Sequence, residues 1–413
     1  MQSKFWLHAA LVAIIAMAIY SPTLRYDFTY LDDNNLVLDQ QEIISKPSGL
    51  YKVFGHSFFN DPSDAYYRPV VNLSFAVNAL IDGVRPFGYH LVNCLLHAAT
   101  CVLLLALLRG LGSGPWAALL AALIFAVHPV NAASVAWIPG RNDVLFGCFA
   151  FAGSLFLLYD ARRPAWALKI GHGACMAFAL FTIETAVCLP LMFGVLLWVE
   201  KGRGAFKRRK WMWVSWVIAF AAYALARHAV IAPSGYVMGQ MFSFWQRWPE
   251  LLSGVGKLLA PLRLQVLAAP QDALWWPGAA SGALLIAVCF LRGMRRGIIT
   301  FAWAMILLPL LMGLLGARNV VIETRLYLPA AGICMLMAEV LRVARLNGGL
   351  IYRSAFALVI ALGLLCCIVN LQYIPNFRDR ISFSQAAIKG SPNSGIAHSQ
   401  IFRASYQNEL QTR

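Results

Sequence analysis

The stretch that decides the fold is Gly88-Tyr-His-Leu-Val-Asn-Cys-Leu-Leu-His-Ala-Ala-Thr-Cys-Val-Leu-Leu-Leu-Ala-Leu-Leu108, an uncharged and mostly apolar run. A helix needs about 20 such residues to cross the hydrocarbon core of a bilayer. Similar runs recur along the whole chain, near residues 5–20, 115–134, 143–160, 168–183, 186–200, 211–231, 275–291, 298–317, 326–342 and 354–373. The pattern predicts an all-α polytopic membrane protein with about eleven transmembrane helices, of which 168–183 and 186–200 are short.

The composition agrees with this fold class. Hydrophobic residues make up 60% of the 413 residues and charged residues 13%, against about 25% charged residues in soluble domains. The net charge of +16 is divided among short loops and forms no continuous patch, so no nucleic acid partner is expected. All nine cysteines fall in predicted spans without a Cys-x-x-Cys pattern, which indicates core residues rather than disulfides or a metal site.

The distribution of basic residues predicts the orientation, because Lys and Arg are retained on the cytoplasmic side. If residue 1 is cytoplasmic, every inside loop is basic and nearly free of acidic residues: Arg109; Arg162, Arg163 and Lys169; Lys201, Arg203, Lys207, Arg208, Arg209 and Lys210; Arg292, Arg295 and Arg296; Arg342, Arg345 and Arg353. We expect a bacterial-type inner membrane, with the N-terminus cytoplasmic and the C-terminus periplasmic. The first span lacks a cleavage site and is expected to stay as an anchor.

Two domains are expected, a transmembrane domain over residues 1–373 and a periplasmic tail over 374–413. The first periplasmic loop, 21–87, is rich in aromatic residues and proline and should be structured and packed on the outer ends of the spans. Segment 232–274 suits either a helix in the headgroup plane or an ordinary loop with Trp anchors. The tail contains 391–406, which looks like the opening helix of a tetratricopeptide repeat.

A pair of carboxylates follows the first span, in Arg25-Tyr-Asp-Phe-Thr-Tyr-Leu-Asp-Asp-Asn-Asn35. A carboxylate at the membrane surface can act as a general base toward a hydroxyl group. Asp32 and Asp33 are therefore the catalytic candidates. The alternative is that both belong to a polar turn leaving the membrane.

Other polar residues lie in or beside the predicted spans. His90, Asn93 and His97 share one helix face, with His90 nearest the outer surface; hydrogen bonding between helices explains Asn93 and His97 equally well. Arg141 offers a fork of donors suited to phosphate, or else faces lipid headgroups. The remaining candidates are His128 at the end of the third span, Asp143 at the start of the fourth, Glu184 between the two short spans, and Arg325 at the head of the tenth.

Several motifs occur in a fixed order: Tyr67-Arg-Pro-Val-Val-Asn-Leu-Ser-Phe-Ala-Val-Asn78, Pro86-Phe-Gly-Tyr-His-Leu-Val-Asn-Cys-Leu-Leu-His97, Ala126-Val-His-Pro-Val-Asn-Ala-Ala-Ser-Val-Ala-Trp-Ile-Pro-Gly-Arg-Asn-Asp143 and Arg325-Leu-Tyr-Leu-Pro-Ala-Ala-Gly332. With the Asp-Asp loop they resemble the TMTC-type membrane O-mannosyltransferases and their bacterial tetratricopeptide-bearing relatives, of the GT-C superfamily. The resemblance covers roughly residues 20–345.

The resemblance implies an inverting glycosyltransferase with a GT-C-like helical bundle. It would move a sugar from a polyprenyl-phosphate donor to a periplasmic protein or glycan acceptor. The implied roles are a base from Asp32 or Asp33, phosphate ligands from His90, Arg141 and Arg325, and support from Asn93, His128, Asp143 and Glu184. Membrane lipids and a membrane protein complex are the other implied partners. No cofactor beyond the donor and no metal site is indicated, although a carboxylate pair is able to hold a divalent ion.

This chain departs from the family pattern at several positions. Asn131 and Ala133 stand where the family commonly has His or Gln and then Glu, and Ile183 replaces a Lys before Glu184. The chain also lacks an array of repeats. These departures favour the alternative of a catalytically degenerate scaffold or accessory subunit. A transporter is the weakest hypothesis, since few charges lie deep in the predicted spans.

The topology is testable with reporter fusions. Because the basic loops alternate with mixed ones, fusions at positions 205 and 395 should report opposite sides of the membrane. A phosphatase reporter active only in the periplasm checks this. If both fusions report the same side, the orientation is wrong and the outer location of Asp32 and Asp33 is lost with it.

Overall fold

A computed structural model describes residues 2–61, 64–202, 209–231, 247–261, 263–314 and 323–402. In that part of the chain the regular elements are helical, with short 3₁₀ and π turns between them. The α-helices are α1 (Gln2–Tyr20), α2 (Gln41–Ile44), α3 (Gly49–Lys52), α4 (Pro69–Asp82), α5 (Pro86–Gly110), α6 (Pro115–Val127), α7 (Ala132–Ala136), α8 (Arg141–Arg162), α9 (Trp166–Leu180), α10 (Leu189–Lys201), α11 (Lys210–Val230), α12 (Trp248–Leu259), α13 (Trp275–Cys289), α14 (Arg296–Leu314), α15 (Tyr327–Leu346), α16 (Gly349–Tyr373) and α17 (Arg380–Gly390).

Seven helical segments within the described residues are long and apolar enough to cross a membrane, or up to eight if the bent α6–α7 pair is one span. The chain is therefore an all-helical, multi-pass membrane protein. The expected number of eleven spans is not confirmed. Every predicted run does carry a helix, but α9, α10 and α13 have only 15, 13 and 15 residues. At about 1.5 Å per residue, they fall short of a core about 30 Å thick.

The third predicted span is broken at His128-Pro129, where the helix axis bends by 47°. A residue before proline is pushed out of the α region, and His128 is extended with φ −66° and ψ 125°. The chain then makes the short helix α7 and a 3₁₀ turn at Ile138–Gly140 before α8 begins. This break sets residues 137–142 across one end of the bundle. The same end carries the first loop, 21–87, and is named the outer end.

The first loop folds onto the spans rather than away from them. Phe28, Leu36 and Phe58 form a buried cluster with Tyr89 at the start of α5 and Leu145 in α8. The loop also contains the 14-residue helix α4, although the sequence shows no clear helix in this loop. Proline at its first position pre-sets the φ angle that a helix start requires, and Gly83 ends it with φ 68°.

The two remaining outer segments are partly described. In segment 232–274, residues 248–259 form α12, and residues 232–246 lie outside the described residues. In the tail, α17 is followed by a helical stretch over 395–402. The end of the predicted repeat-like helix, 403–406, lies outside the described residues, as do the last residues of the chain.

Helix α15 is the centre of the bundle, since 83% of its most apolar window is buried. Gly332 lets it approach α14 closely: a Cβ at this position would lie 2.6 Å from the Ala302 carbonyl oxygen. Small residues allow such close crossings in membrane proteins. Near the other end of α15, buried Glu339 accepts hydrogen bonds from Arg295 at 2.7 Å and from Arg342 at 2.6 Å, which joins α15 to the loop before α14.

Arg141 joins three helices at the outer end. Its side chain is fully buried; Nε donates to Asn93 Oδ1 of α5 at 2.7 Å, and Nη1 donates to Asn78 Oδ1 of α4 at 2.7 Å. Nη2 donates to the Tyr89 carbonyl oxygen at 2.9 Å, and the guanidinium lies 4.5 Å from the centroid of the Phe75 ring. A buried charge is tolerated when its donors are satisfied in this way.

Replacing Arg141 by Lys should destabilise the protein. An ammonium cannot reach these spread acceptors with a planar fork, and one lost hydrogen bond to a charged group costs about 1.5–3 kcal/mol. Thermal unfolding of the purified variant in detergent measures the effect. Arg85→Lys is the control, because Arg85 is 73% exposed and paired with Asp82. Equal stability of Arg141→Lys and wild type would refute the structural role.

Candidate active site

A small cleft of about 40 Å³ opens at the outer end of the bundle. Three parts of the chain form it: the first loop, the segment around Pro139 and Gly140, and the turn before α15. Its lining includes one carboxylate and two guanidinium groups. The lining residues are Asp32, Phe58, Phe59, Tyr66, Arg68, Trp137, Pro139, Gly140, Asn142, Thr324 and Arg325.

The two adjacent aspartates point to different places. Asp32 is partly exposed and lines the cleft. Asp33 is fully buried, and its Oδ2 accepts hydrogen bonds from the backbone nitrogen of Thr29 at 2.8 Å and from the Thr29 hydroxyl. Burial raises the pKa of Asp33 to about 7; the Thr29 hydrogen bonds act against this shift, and the negative charge of Asp32 adds to it. Only Asp32 is placed to meet a ligand in the cleft.

A row of contacts supports the turn that holds the aspartates. Trp137 Nε1 donates to Thr29 Oγ1 at 2.9 Å, so Thr29 connects Trp137 to Asp33. On its other side the Trp137 ring lies 5.7 Å from the Phe383 ring of α17, centroid to centroid. The tail helix therefore packs against the residue that positions the aspartate turn.

Arg68, which is buried, forms an ion pair with the partly exposed Glu184. Its Nη2 and Nε donate to Glu184 Oε2 at 2.6 and 3.0 Å, and its guanidinium lies over the Phe58 and Tyr66 rings at 4.8 and 4.5 Å. Burial opposes ionisation of Glu184, but the charge and hydrogen bonds of Arg68 outweigh it, so the pKa of Glu184 lies below its ordinary value. Arg68 is thus a fixed cation at the cleft wall, held by the carboxylate between α9 and α10.

Arg325 supplies the second cation of the cleft. Its Nη1 donates to Thr185 Oγ1 at 3.1 Å, which fixes it beside the Arg68–Glu184 pair. Asp143, in the first turn of α8, is buried and feels the charges of both Arg325 and Arg68. The carboxylates of Glu184 and Asp143 therefore partly balance the two cations, which leaves the cleft wall with charges of both signs.

Other predicted site residues lie behind this wall. Asn93 donates to the carbonyl oxygens of Val135, Trp137 and Ile138 at 3.3 Å, and His128 Nε2 lies 3.1 Å from the Leu258 carbonyl oxygen. His90 is buried with its ring edge-on to Tyr26. His90, Asn93, His128 and Arg141 are not among the lining residues of the cleft, so the geometry gives them positions that support it.

Arg68 was missed as a site residue by sequence reasoning, although it stands in the motif Tyr67-Arg-Pro. The sequence feature that could have identified Arg68 is its position in an outer loop, directly before the proline that begins α4. Trp137 and Asn142 were also missed, and both stand inside the quoted motif around Arg141. Among the described residues, no group of three or more His, Cys, Asp or Glu side chains is arranged to hold a metal ion.

The positions that depart from the family pattern are buried in this protein. Ala133 and Ile183 are 3% and 0% exposed, and Asn131 Nδ2 donates to the Phe125 carbonyl oxygen at 2.7 Å. The Ala133 carbonyl oxygen lies so near Gly140 that a Cβ there would be 2.5 Å away. These residues pack the turn beneath the cleft and place no charge in it.

Comparison with known proteins agrees with the motifs. Residues 64–226 match a family described as dolichyl-phosphate-mannose-protein mannosyltransferase. Protein O-mannosyl-transferase TMTC2 of Mus musculus is 34% identical over 190 residues, which are 42% of this chain and 22% of that protein. TMTC2 of Xenopus laevis is 38% identical over 169 residues, covering 38% of this chain and 19% of that protein, and TMTC3 of Mus musculus is 31% identical over 158 residues, covering 37% and 17%.

The chain spans about a fifth of the length of these curated relatives. The family match includes Arg68, Arg141 and Glu184, while Asp32 and Arg325 lie outside it. The conclusion rests on three findings that agree: the membrane-spanning helices, the family match and the similarity to protein O-mannosyltransferases. The chain resembles the TMTC-type membrane glycosyltransferases of the GT-C superfamily.

Proposed function

We propose that this protein is an inverting glycosyltransferase that moves a sugar from a polyprenyl-phosphate donor to a hydroxyl group, such as that of a protein Ser or Thr. One observation carries the proposal: Asp32 and the guanidinium groups of Arg68 and Arg325 line the same cleft. An acceptor hydroxyl needs a carboxylate nearby, and a departing phosphate needs fixed cations. The names of the TMTC relatives support protein acceptors and mannose as the first sugar to test.

The proposed reaction is a displacement at the anomeric carbon of the sugar. The acceptor oxygen forms a bond to that carbon from the face opposite the phosphate, and the bond between the carbon and the phosphate oxygen breaks. Asp32 takes the hydroxyl proton. Arg68 and Arg325 stabilise the negative charge of the leaving polyprenyl phosphate. Guanidinium groups suit this role because their planar donors match phosphate oxygens.

The remaining polar residues hold this geometry. Glu184 keeps Arg68 in place, and Thr29 and Trp137 hold the turn that carries Asp32. Asp33 acts as a positioning residue rather than as the base, because it is buried against Thr29. Arg141, which the resemblance offered as a phosphate ligand, serves instead to hold the loops, since its donors are occupied within the protein. His90, the other such candidate, is buried outside the lining of the cleft.

The proposed location is a bacterial inner membrane with the cleft facing the periplasm. The support for this orientation is the alternation of basic and mixed loops. It places the first loop and residue 413 in the periplasm and residue 1 in the cytoplasm. The donor then has to present its sugar at the outer surface, where the acceptor is a periplasmic protein or glycan.

A catalytically degenerate scaffold is the second candidate. The observation in its favour is that Ala133 and Ile183, where the family commonly has Glu and Lys, are buried apolar side chains. In that function the helical bundle would serve as a subunit of a membrane assembly. The cleft with Asp32, Arg68 and Arg325 would then be a remnant.

Substitution of the two aspartates tests the proposed function. Asp32→Asn should lower sugar transfer by about 10²–10⁴, because the general base is lost while the shape is kept. Asp33→Asn is the matched control and should lower transfer far less. The measurement is transfer of radiolabelled mannose from synthetic polyprenyl-phosphate mannose to a Ser/Thr-containing peptide, with folding checked by size-exclusion chromatography. Equal activity of Asp32→Asn and wild type would remove Asp32 as the base, and an inactive wild type would favour the scaffold.

Asp33 also makes the stability of the protein depend on pH. Its pKa is about 7 in the folded chain and 3.8 ordinarily, so the unfolded chain releases this proton more readily. Wild-type stability should therefore fall as pH rises from about 4 to 7 and level off above that. Asp33→Asn removes the cost of ionising a buried carboxyl group and should raise the melting temperature at pH 8 by at least about 2 °C. The difference from wild type should vanish near pH 4. A difference independent of pH would contradict the assigned ionisation.

A further inference from the structure

A second cavity, of about 1160 Å³, lies at the outer end of the bundle. It runs between α12, the segment 263–274, the start of α13, the end of α16 and the tail helix α17. It shares no lining residue with the cleft that holds Asp32. Sites for small molecules have volumes of about 300–1,000 Å³, so this groove has room for a larger ligand.

The lining of the groove carries a net positive charge. Arg263 and Lys389 line it and are exposed, and neither has an ion-pair partner within the described residues. Lys257, also in the lining, is already paired with buried Glu323 at 2.8 Å. The acidic lining residue Asp272 accepts hydrogen bonds from Ser391 Oγ at 2.5 Å and Asn393 Nδ2 at 2.7 Å, and these neutral donors leave its negative charge in place. Arg263 and Lys389 together outweigh the single charge of Asp272, so the lining of the groove stays cationic.

Another part of the lining is apolar. Leu274, Trp276, Pro277 and Ala280 line it, all at the start of α13. Trp276 is 63% exposed, and exposed tryptophan favours the boundary between headgroups and hydrocarbon. Leu284, farther along α13, is 59% exposed, so the apolar surface continues from the groove along α13.

This combination selects an amphiphile with an anionic head. A soluble anion would use the cations but leave the apolar floor against water. An uncharged lipid would use the floor but leave Arg263 and Lys389 without a partner. Basic pockets at the membrane surface bind anionic lipid headgroups, and the basic residues of this groove adjoin the exposed apolar surface of α13.

We propose that the groove binds an anionic phospholipid of the outer leaflet. The lipid phosphate lies between Arg263 and Lys389, and an acyl chain follows the exposed face of α13. Lys389 belongs to α17, whereas Arg263 belongs to the segment after α12, so the lipid joins the tail helix to the bundle. A direct contact within the protein joins the same two elements, because Gln265 Nε2 donates to the Gly390 carbonyl oxygen at 2.6 Å.

The test uses the full chain purified in detergent and depleted of lipid. Native mass spectrometry titrates bound phosphatidylglycerol, with phosphatidylcholine, whose zwitterionic headgroup has no net charge, as the comparison. The variant is Arg263→Gln/Lys389→Gln. The control is Lys46→Gln/Lys52→Gln, which removes the same charge from exposed positions in the first loop, outside the groove.

We expect wild type and control to bind phosphatidylglycerol alike and more tightly than phosphatidylcholine. The groove variant should bind phosphatidylglycerol about 10- to 30-fold more weakly, from the loss of two basic residues at the membrane surface. Undiminished binding by the groove variant, or equal binding of the two lipids, overturns the proposal. So does inorganic phosphate at millimolar concentration displacing the lipid completely, which would show a site for the free anion alone. No sugar donor is present, so the result is independent of the proposed transferase activity.

Discussion

The guanidinium of Arg141, fully buried where α4, α5 and α8 meet, is the contact on which the outer end of this protein depends. A charge in such a place is costly unless its donors find acceptors, and here the acceptors come from elements that are far apart in sequence. Asn93 is shared: its oxygen accepts from Arg141, and its amide donates to the carbonyl oxygens of Val135, Trp137 and Ile138. The burial of one charge thereby fixes the path of the chain across the bundle.

That path places the side chains of the cleft. Trp137 is held at its carbonyl by Asn93, and its indole donates to Thr29, so the same residue connects the buried Arg141 network to the aspartate turn. Asn142 follows directly and lines the cleft. Phe383 of the tail helix packs against Trp137, which makes the tail part of the site's support. A movement of α17 would reach the aspartate turn through Trp137 and Thr29, and also through Arg380, whose guanidinium lies 5.7 Å from the centroid of the Tyr30 ring.

The sequence predicted the helices well because the bilayer imposes a length on apolar runs, and it already marked the runs of α9 and α10 as short, but it did not show that α13 has only 15 residues. It identified the aspartate pair, yet it could not separate Asp32 from Asp33, because the backbone turn decides which carboxylate is buried. Arg141 was predicted as a phosphate ligand from the chemistry of the guanidinium group and from the family resemblance. The acceptors of Arg141 in α4 and α5 become evident only in three dimensions. Arg68 was missed for a similar reason: its partner Glu184 lies 116 residues away in the chain.

The ion pair between Arg68 and Glu184 also gives a physical interpretation to the departures from the family pattern. A lysine before Glu184, which the family usually has, would bring a second cation to the same carboxylate. In this chain Ile183 is buried there instead, and Arg68 is the direct ion-pair partner of Glu184, with hydrogen bonds of 3.0 and 2.6 Å. Arg325, fixed by Thr185, then remains as the cation with the least direct ionic compensation at the cleft. Because a phosphate gains most from cations that are not already matched by a carboxylate, Arg325 rather than Arg68 is the stronger of the two proposed phosphate ligands, and Arg68 contributes chiefly by holding the wall of the cleft.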